Sequence, residues 1–164
     1  MPVANAEKFD VEQEIKISSS RQAADLKNKI FSYIDNVIIS QGTLTIHAEL
    51  VQVITQDKTD NKIYVAKGSP ATFEQTLQDG SPIDLQANEI RYEVVNRTIS
   101  LAGDAELQQD SSKVQGDKIT FDMITEQLLA TGGAGENGEG RVTTVFTPDT
   151  IRKTSSKKDN EGNE

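Results

Sequence analysis

The chain has 164 residues, enough for one domain of ordinary size, and 26 acidic against 17 basic side chains give it a net charge of −9. This charge excludes nucleic acid as the main partner, because phosphate binding needs a basic surface. No stretch approaches the roughly 18 apolar residues of a membrane span. Cysteine is absent, which excludes disulfides and thiol chemistry.

Both ends of the chain are polar. Residues 1–10 are predicted to be a flexible leader without the apolar run of a secretory signal, and residues 151–164 a disordered tail. Between them, runs of alternating apolar residues such as Thr43 to His47 are separated by turn residues. This spacing predicts hairpins and a meandering antiparallel sheet over residues 11–150.

One segment, residues 21–27, contains helix-forming residues, and an internal repeat decides its assignment. At a constant offset of 68, residues 15–53 align without a gap on residues 83–121, as when Phe31 meets Ile99 and Ile46 meets Val114. The doubtful segment then aligns with an alternating run, so we predict a strand there. Self-similarity at a fixed period is typical of stacked architectures.

The alternation also predicts a shared apolar seam between the two halves of the repeat. Its members are Ile15, Ile17, Phe31, Tyr33, Val37, Ile39, Leu44 and Ile46 in the first half, and Ile83, Leu85, Tyr92, Val94, Ile99, Leu101, Leu107, Val114, Ile119 and Phe121 in the second. The seam is either a plain core or two splayed layers that admit a ligand, and the pattern alone leaves both readings open.

Residues for catalysis or metal binding are scarce. His47 is the only histidine, and its alternation directs it to solvent. The many carboxylates lack the tryptophan platforms common in glycosidase clefts, and the glycine-rich segment 132–140 lacks the Gly-Lys-Ser/Thr ending of a phosphate loop. We therefore expect no enzyme and no metal site.

Several blocks resemble the periplasmic lipopolysaccharide transport protein A family, whose members have an organic solvent tolerance-like N-terminal domain. The blocks are residues 35–48, 67–73, 101–109, 116–121 and 141–146. The resemblance implies a twisted, incomplete β-jellyroll of roughly sixteen antiparallel strands, open at both ends. It also implies a periplasmic carrier that takes lipopolysaccharide from the inner to the outer membrane and shields its lipid A acyl chains. The resemblance implies that no cofactor is needed.

The resemblance, together with the alternation, predicts the residues that contact the acyl chains. They are Ile15, Ile17, Phe31, Tyr33, Ile39, Leu44, Ile46, Phe73, Tyr92, Val94, Ile99, Leu101, Leu107 and Phe121.

The resemblance further implies partners at both edges of the sheet. An inner-membrane-anchored jellyroll partner would join the N-terminal edge, the jellyroll domain of the outer-membrane translocon the C-terminal edge, and copies of the chain would join head to tail. Neither predicted edge strand contains proline, so both invite strand addition. Their residues are Val11, Ile15 and Ile17 at one edge, and Arg141, Val142, Thr143, Thr144, Val145 and Phe146 at the other.

The main alternative is a structural β-stack, such as a scaffold or adhesin fragment with a closed, dry core.

Overall fold

A computed structural model describes residues 10, 12–56, 60–133 and 140–148, which form ten strands in one antiparallel sheet. The strands are β1 Lys16–Ser18, β2 Arg21–Asp25, β3 Ile30–Gln41, β4 Leu44–Thr55, β5 Lys62–Thr76, β6 Pro82–Glu93, β7 Thr98–Gln109, β8 Ser112–Asp122, β9 Gln127–Thr131 and β10 Thr143–Phe146. In these ranges no helix is long and apolar enough to cross a membrane. Most of the leader, the tail and the centre of the glycine-rich segment lie outside the described residues.

Strands β3 to β8 follow one another through the sheet as a meander. At one edge, β1 and β2 both pair with β3, but with different halves of it. At the other edge, β10 and β9 likewise pair with different halves of β8. Each edge is therefore one long strand interrupted near its middle.

The same interruption crosses the whole sheet as a line of register shifts. Between β3 and β4 the shift follows Ile34, between β5 and β6 it follows Lys67, and between β7 and β8 it follows Ala102. Such β-bulges bend a strand without ending its ladder. They divide the sheet into arm A (residues 21–34, 50–55, 62–67, 89–102 and 118–131) and arm B (residues 16–18, 37–48, 71–87, 105–116 and 143–146).

Residues with left-handed backbones make the bend at two of these bulges. Asp35 and Asn36 have φ of 66° and 49°, and Gly103 and Asp104 have φ of 82° and 49°. Glycine has no Cβ penalty in this region, and Asx residues tolerate it better than other side chains. The residue types at the bend therefore match the conformation that it needs.

The structure confirms an open, all-β antiparallel fold and the strand predicted near residues 21–27, which is β2. The predicted count of sixteen strands was wrong, because the described chain forms ten. The six strands β3 to β8 pass through the bend unbroken, whereas a count of sixteen treats their two arms as separate strands.

The core lies between the two arms, because each arm turns its apolar face toward the other. Side chains from both arms are fully buried there, for example Val51 and Ile99 of arm A with Phe73 and Ile83 of arm B, all at 0% exposure. Apart from Ile63 and Val65, the buried hydrophobic side chains form one continuous cluster. The opposite faces carry most of the charged residues and face water.

Residues separated by the repeat offset of 68 occupy equivalent places in the sheet. Strand β3 corresponds to β7 and β4 to β8, with matching bounds to within one residue. The preceding turns match as well: Lys29 and Arg97 both have positive φ, at 57° and 52°. Two turn asparagines donate from their side chains to the carboxylates three residues earlier, Asn28 to Asp25 and Asn96 to Glu93.

We predict that Gly103→Ala lowers the free energy of unfolding by about 1–2 kcal/mol, the cost of placing a Cβ at a left-handed backbone. Urea unfolding of both proteins measures it. Asp104→Gly at the same bulge is the control, since it relieves a left-handed residue and should leave stability unchanged or higher. Equal loss in both variants would contradict this account of the bend.

Candidate functional site

The inner faces of the two arms hold the residues predicted from the sequence. Nine of the fourteen acyl-contact candidates are buried between the arms: Ile39, Leu44, Ile46, Phe73, Tyr92, Ile99, Leu101, Leu107 and Phe121. Ile17, Phe31, Tyr33 and Val94 are half-buried and pack against this cluster. Ile15, just before β1, is 37% exposed.

Sequence reasoning missed several inner residues near the β4–β5 hairpin. Val51 faces Ala66 and Val53 faces Tyr64 in the register, and all four are buried. The apolar run from Ile63 to Ala66 has no alternation, so it does not reveal which of its residues point inward. Only the pairing of Tyr64 with Tyr92 on the next strand assigns the face.

Aromatic rings link the two arms across the interior. The Tyr92 ring in arm A meets the Phe73 ring in arm B edge to face, with centroids 6.0 Å apart and planes at 69°. Tyr64 stacks on Tyr92 within arm A, with centroids 6.3 Å apart. Edge-to-face pairs add to the free energy of area burial, so these rings hold the middle of the interior closed.

The interior is closed in the middle and half-open toward both edges of the sheet. At the N-terminal edge, Ile17, Phe31 and Tyr33 are only partly covered. At the C-terminal edge the register turns Leu128 and Phe146 to the inner face, and they are 39% and 72% exposed. Large apolar side chains left uncovered at the end of a core mark a place for another apolar surface.

The outer faces have the opposite chemistry. Glu74 and Asp84 stand directly opposite each other on β5 and β6, and they line a shallow cavity of about 230 Å³ with Glu106. His47 is exposed on this side of arm B, as the alternation predicts. Within the described ranges, no three histidine or acidic side chains are grouped so as to hold a metal ion.

The terminal strands of arm B are the ones predicted from the sequence, since β1 and β10 end the sheet. Strand β10 is exposed along its length. Thr147 donates its backbone N–H to Ser111, so the antiparallel alternation directs the N–H groups of Thr144 and Phe146 away from β8. Val11 lies outside the described residues.

Arm A has edge strands of its own, which the sequence reasoning did not assign. They are β2, whose five residues are all exposed, and β9, where Leu129 is 65% exposed. Each end of the sheet therefore presents two short edges, one per arm, on either side of the bend.

Comparison with known proteins places this arrangement in a family. The sequence profile of the family described as "LptA/(LptD N-terminal domain) LPS transport protein" matches residues 16–127. The chain belongs to this family. It is 41% identical over 157 residues to the lipopolysaccharide export system protein LptA of Haemophilus influenzae, covering 94% of this chain and 88% of that protein. The LptA of Escherichia coli K12 is 34% identical over 149 residues, covering 90% and 78%.

A solved structure shares the fold. The crystal structure of LptH from Pseudomonas aeruginosa, described as the LptA-homologous periplasmic component of the conserved lipopolysaccharide transport device, superposes with a TM-score of 0.75. The match covers 85% of this chain and 99% of that chain at 24% identity. These comparisons confirm the resemblance found in the sequence.

We predict that stability falls at alkaline pH through Tyr64. Burial first, and the nearby Tyr33 second, raise the pKa of Tyr64 above its ordinary value of 10.0. The neutral phenol therefore contributes stability that is complete below pH 10 and is lost as the pH rises from there through the raised pKa. Melting temperatures between pH 8 and 12 measure this loss.

Tyr64→Phe is the comparison for this prediction, because it keeps the ring and removes the titrating group. Its melting temperature should fall less between pH 9 and 12 than that of the unaltered protein. Identical slopes would show that Tyr64 does not titrate with folding.

Proposed function

We propose that this protein is a periplasmic carrier of lipopolysaccharide that shields acyl chains between arms A and B. The observation that carries the proposal is the continuous apolar cluster between two arms joined along a line of bulges, half-open at both ends. Membership of a lipopolysaccharide transport family, and relatives named as export proteins, support the same ligand.

The chemistry of the two faces matches an amphiphilic ligand. Each methylene transferred from water to an apolar interior contributes roughly 0.8 kcal/mol, so the acyl chains are the part of such a ligand that favours the space between the arms. The outer faces carry acids such as Glu74 and Asp84, and the chain has a net charge of −9. Phosphates and sugars would therefore remain in water, outside the arms.

Acyl chains enter this interior only when the arms part. The ring contact between Phe73 and Tyr92 closes the middle, and the residues around it are buried. Entry would begin at the half-open ends, next to Phe31 or Phe146, and would replace contacts between the arms with contacts to lipid.

The two edges of the sheet are the proposed binding sites for protein partners. A jellyroll anchored in the inner membrane would pair with the β1 and β2 edge, and the outer-membrane translocon with the β9 and β10 edge. A second copy of this chain can fill either place, because its opposite edge is free. Two different edges that meet form a heterologous contact, which extends into a filament rather than closing as a dimer.

A non-catalytic role is part of the proposal, since the relatives are named as export proteins. The second candidate is a structural β-stack, which the closed middle of the interior favours. Lipopolysaccharide distinguishes the two, because a carrier that binds it is stabilised against heat whereas a dry stack is not.

We expect a photo-crosslinking residue at Ile17, Phe31 or Phe146 to capture purified lipopolysaccharide, because these inner positions border the half-open ends. Gel mobility shift with detection of the lipid measures capture. The matched controls are His47 and Thr72, which face outward on paired strands. Equal capture at inner and outer positions would contradict binding between the arms.

We expect Thr144→Pro to weaken self-association about tenfold, the effect of losing one hydrogen bond of about 1.4 kcal/mol across the edge. The N–H of Thr144 points away from β8, so proline removes a donor from the free edge and leaves the β8 ladder intact. Sedimentation velocity over a concentration series measures the change.

Val145→Pro is the contrasting variant, because its N–H faces β8 and its loss detaches β10. Thr144→Pro should keep its affinity for lipopolysaccharide and its melting temperature. Unchanged self-association of the Thr144→Pro protein would place the contact elsewhere.

A further inference from the structure

The residues just before β1 cross the end of arm B. Asp10 is buried, at 1% exposure, and its carboxylate accepts from the backbone N–H of Thr43 at 2.7 Å, from the Thr43 hydroxyl, and from the side-chain amide of Gln75 at 3.0 Å. The Gln13 carbonyl accepts from the side-chain amide of Gln41 at 3.1 Å. Residues 10 and 12–15, here called the strap, thus pass over the ends of β3, β4 and β5.

Gly42 shows that the chain is built to accommodate this strap. A Cβ at Gly42 would lie 2.1 Å from the Asp10 carboxylate oxygen and 3.0 Å from the Asp10 Cα. Gly42 also has φ of 60° in the β3–β4 turn. The turn itself does not require glycine, because its counterpart at the repeat offset, Asp110, adopts φ of 52°.

Beside the strap, the end of arm B is more deeply buried in the first half of the repeat than in the second. Beneath it, Gln41, Leu44 and Ile46 are buried, at 6%, 2% and 1% exposure. Their counterparts at the repeat offset are Gln109, Ser112 and Val114, which are only half-buried. On the same row as Gln109 and Ser112, Phe146 is 72% exposed. The end of arm B is therefore covered where it belongs to the first half of the repeat, and open where it belongs to the second half.

Gln75 is a buried polar side chain beneath the strap. It is 4% exposed, and its amide nitrogen donates to Asp10, which fixes the orientation of the amide. Its carbonyl oxygen is buried without a hydrogen-bond partner.

We propose that the strap is a latch, held by Asp10, that covers the arm B end of the interior and must move aside for an acyl chain to occupy it. This inference rests on the proposed function, because it names the gate of the same site. The Asp10 contacts hold the latch closed. Because the strap runs directly into β1, its release also changes the N-terminal edge.

The test uses the full chain with fluorescently labelled, purified lipopolysaccharide. In Asp10→Cys/Thr43→Cys the two introduced thiols are the only ones in the chain, and they replace two side chains that are in contact. Oxidation locks the strap closed, and reduction leaves it without its carboxylate. We expect the oxidised protein to bind at least tenfold more weakly than the reduced protein.

A second pair of variants tests the latch without a cross-link. Asp10→Ala should bind labelled lipopolysaccharide about tenfold more tightly than the unaltered protein, since a larger fraction is open. Glu49→Ala removes the same charge from an exposed site on β4 and should not change the affinity. Melting curves establish that each variant is folded.

The outcomes separate the two proposals. Equal binding by the oxidised and reduced pair, with Asp10→Ala like the unaltered protein, would overturn the latch and leave the carrier function standing. Absence of binding by every variant and by the unaltered protein would overturn the carrier function and the latch with it. If the pair does not oxidise, the single substitution decides alone: an Asp10→Ala protein that binds lipopolysaccharide like the unaltered protein overturns the latch.

Discussion

The need to cover an apolar sheet face governs this structure. A sheet whose strands alternate apolar and polar side chains must pack its apolar face against something. In the part of the chain that the structure describes, the cover is the other half of the same sheet. The line of bulges makes this possible, because it lets six strands turn back on themselves while keeping their hydrogen bonds to neighbours.

The faces of the strands were predictable, because the side-chain period of two is visible in the sequence. Ile46 is buried and His47 exposed, as the alternation requires. The bend was not predictable, because a bulge shifts that period locally: inward-facing residues on β4 step from Ala48 to Val51 instead of to Leu50. The inward-facing residues of β5 were not predictable either, since its run from Ile63 to Ala66 is apolar without interruption.

The position of the strap, which Asp10 holds, could not be predicted from the sequence, for a different reason. An aspartate in a polar leader has no pattern that marks it as buried, and its three donors come from residues 33 and 65 positions away. Gly42 was the one local sign, but glycine in a hairpin turn has an ordinary explanation in backbone freedom. Only the close approach of Asp10 to Gly42 reveals the second reason for that glycine.

The closed interior and the proposed cargo are compatible on energetic grounds. When the arms part around an acyl chain, Phe73 and Tyr92 lose contact with each other and gain contact with methylenes, so apolar surface is exchanged rather than exposed. The net free energy of such an exchange is small compared with the total area involved. A carrier needs this balance, because it must release its cargo as readily as it takes it up. Binding to a rigid, permanently open groove would lack the opposing term that the closing of the arms supplies.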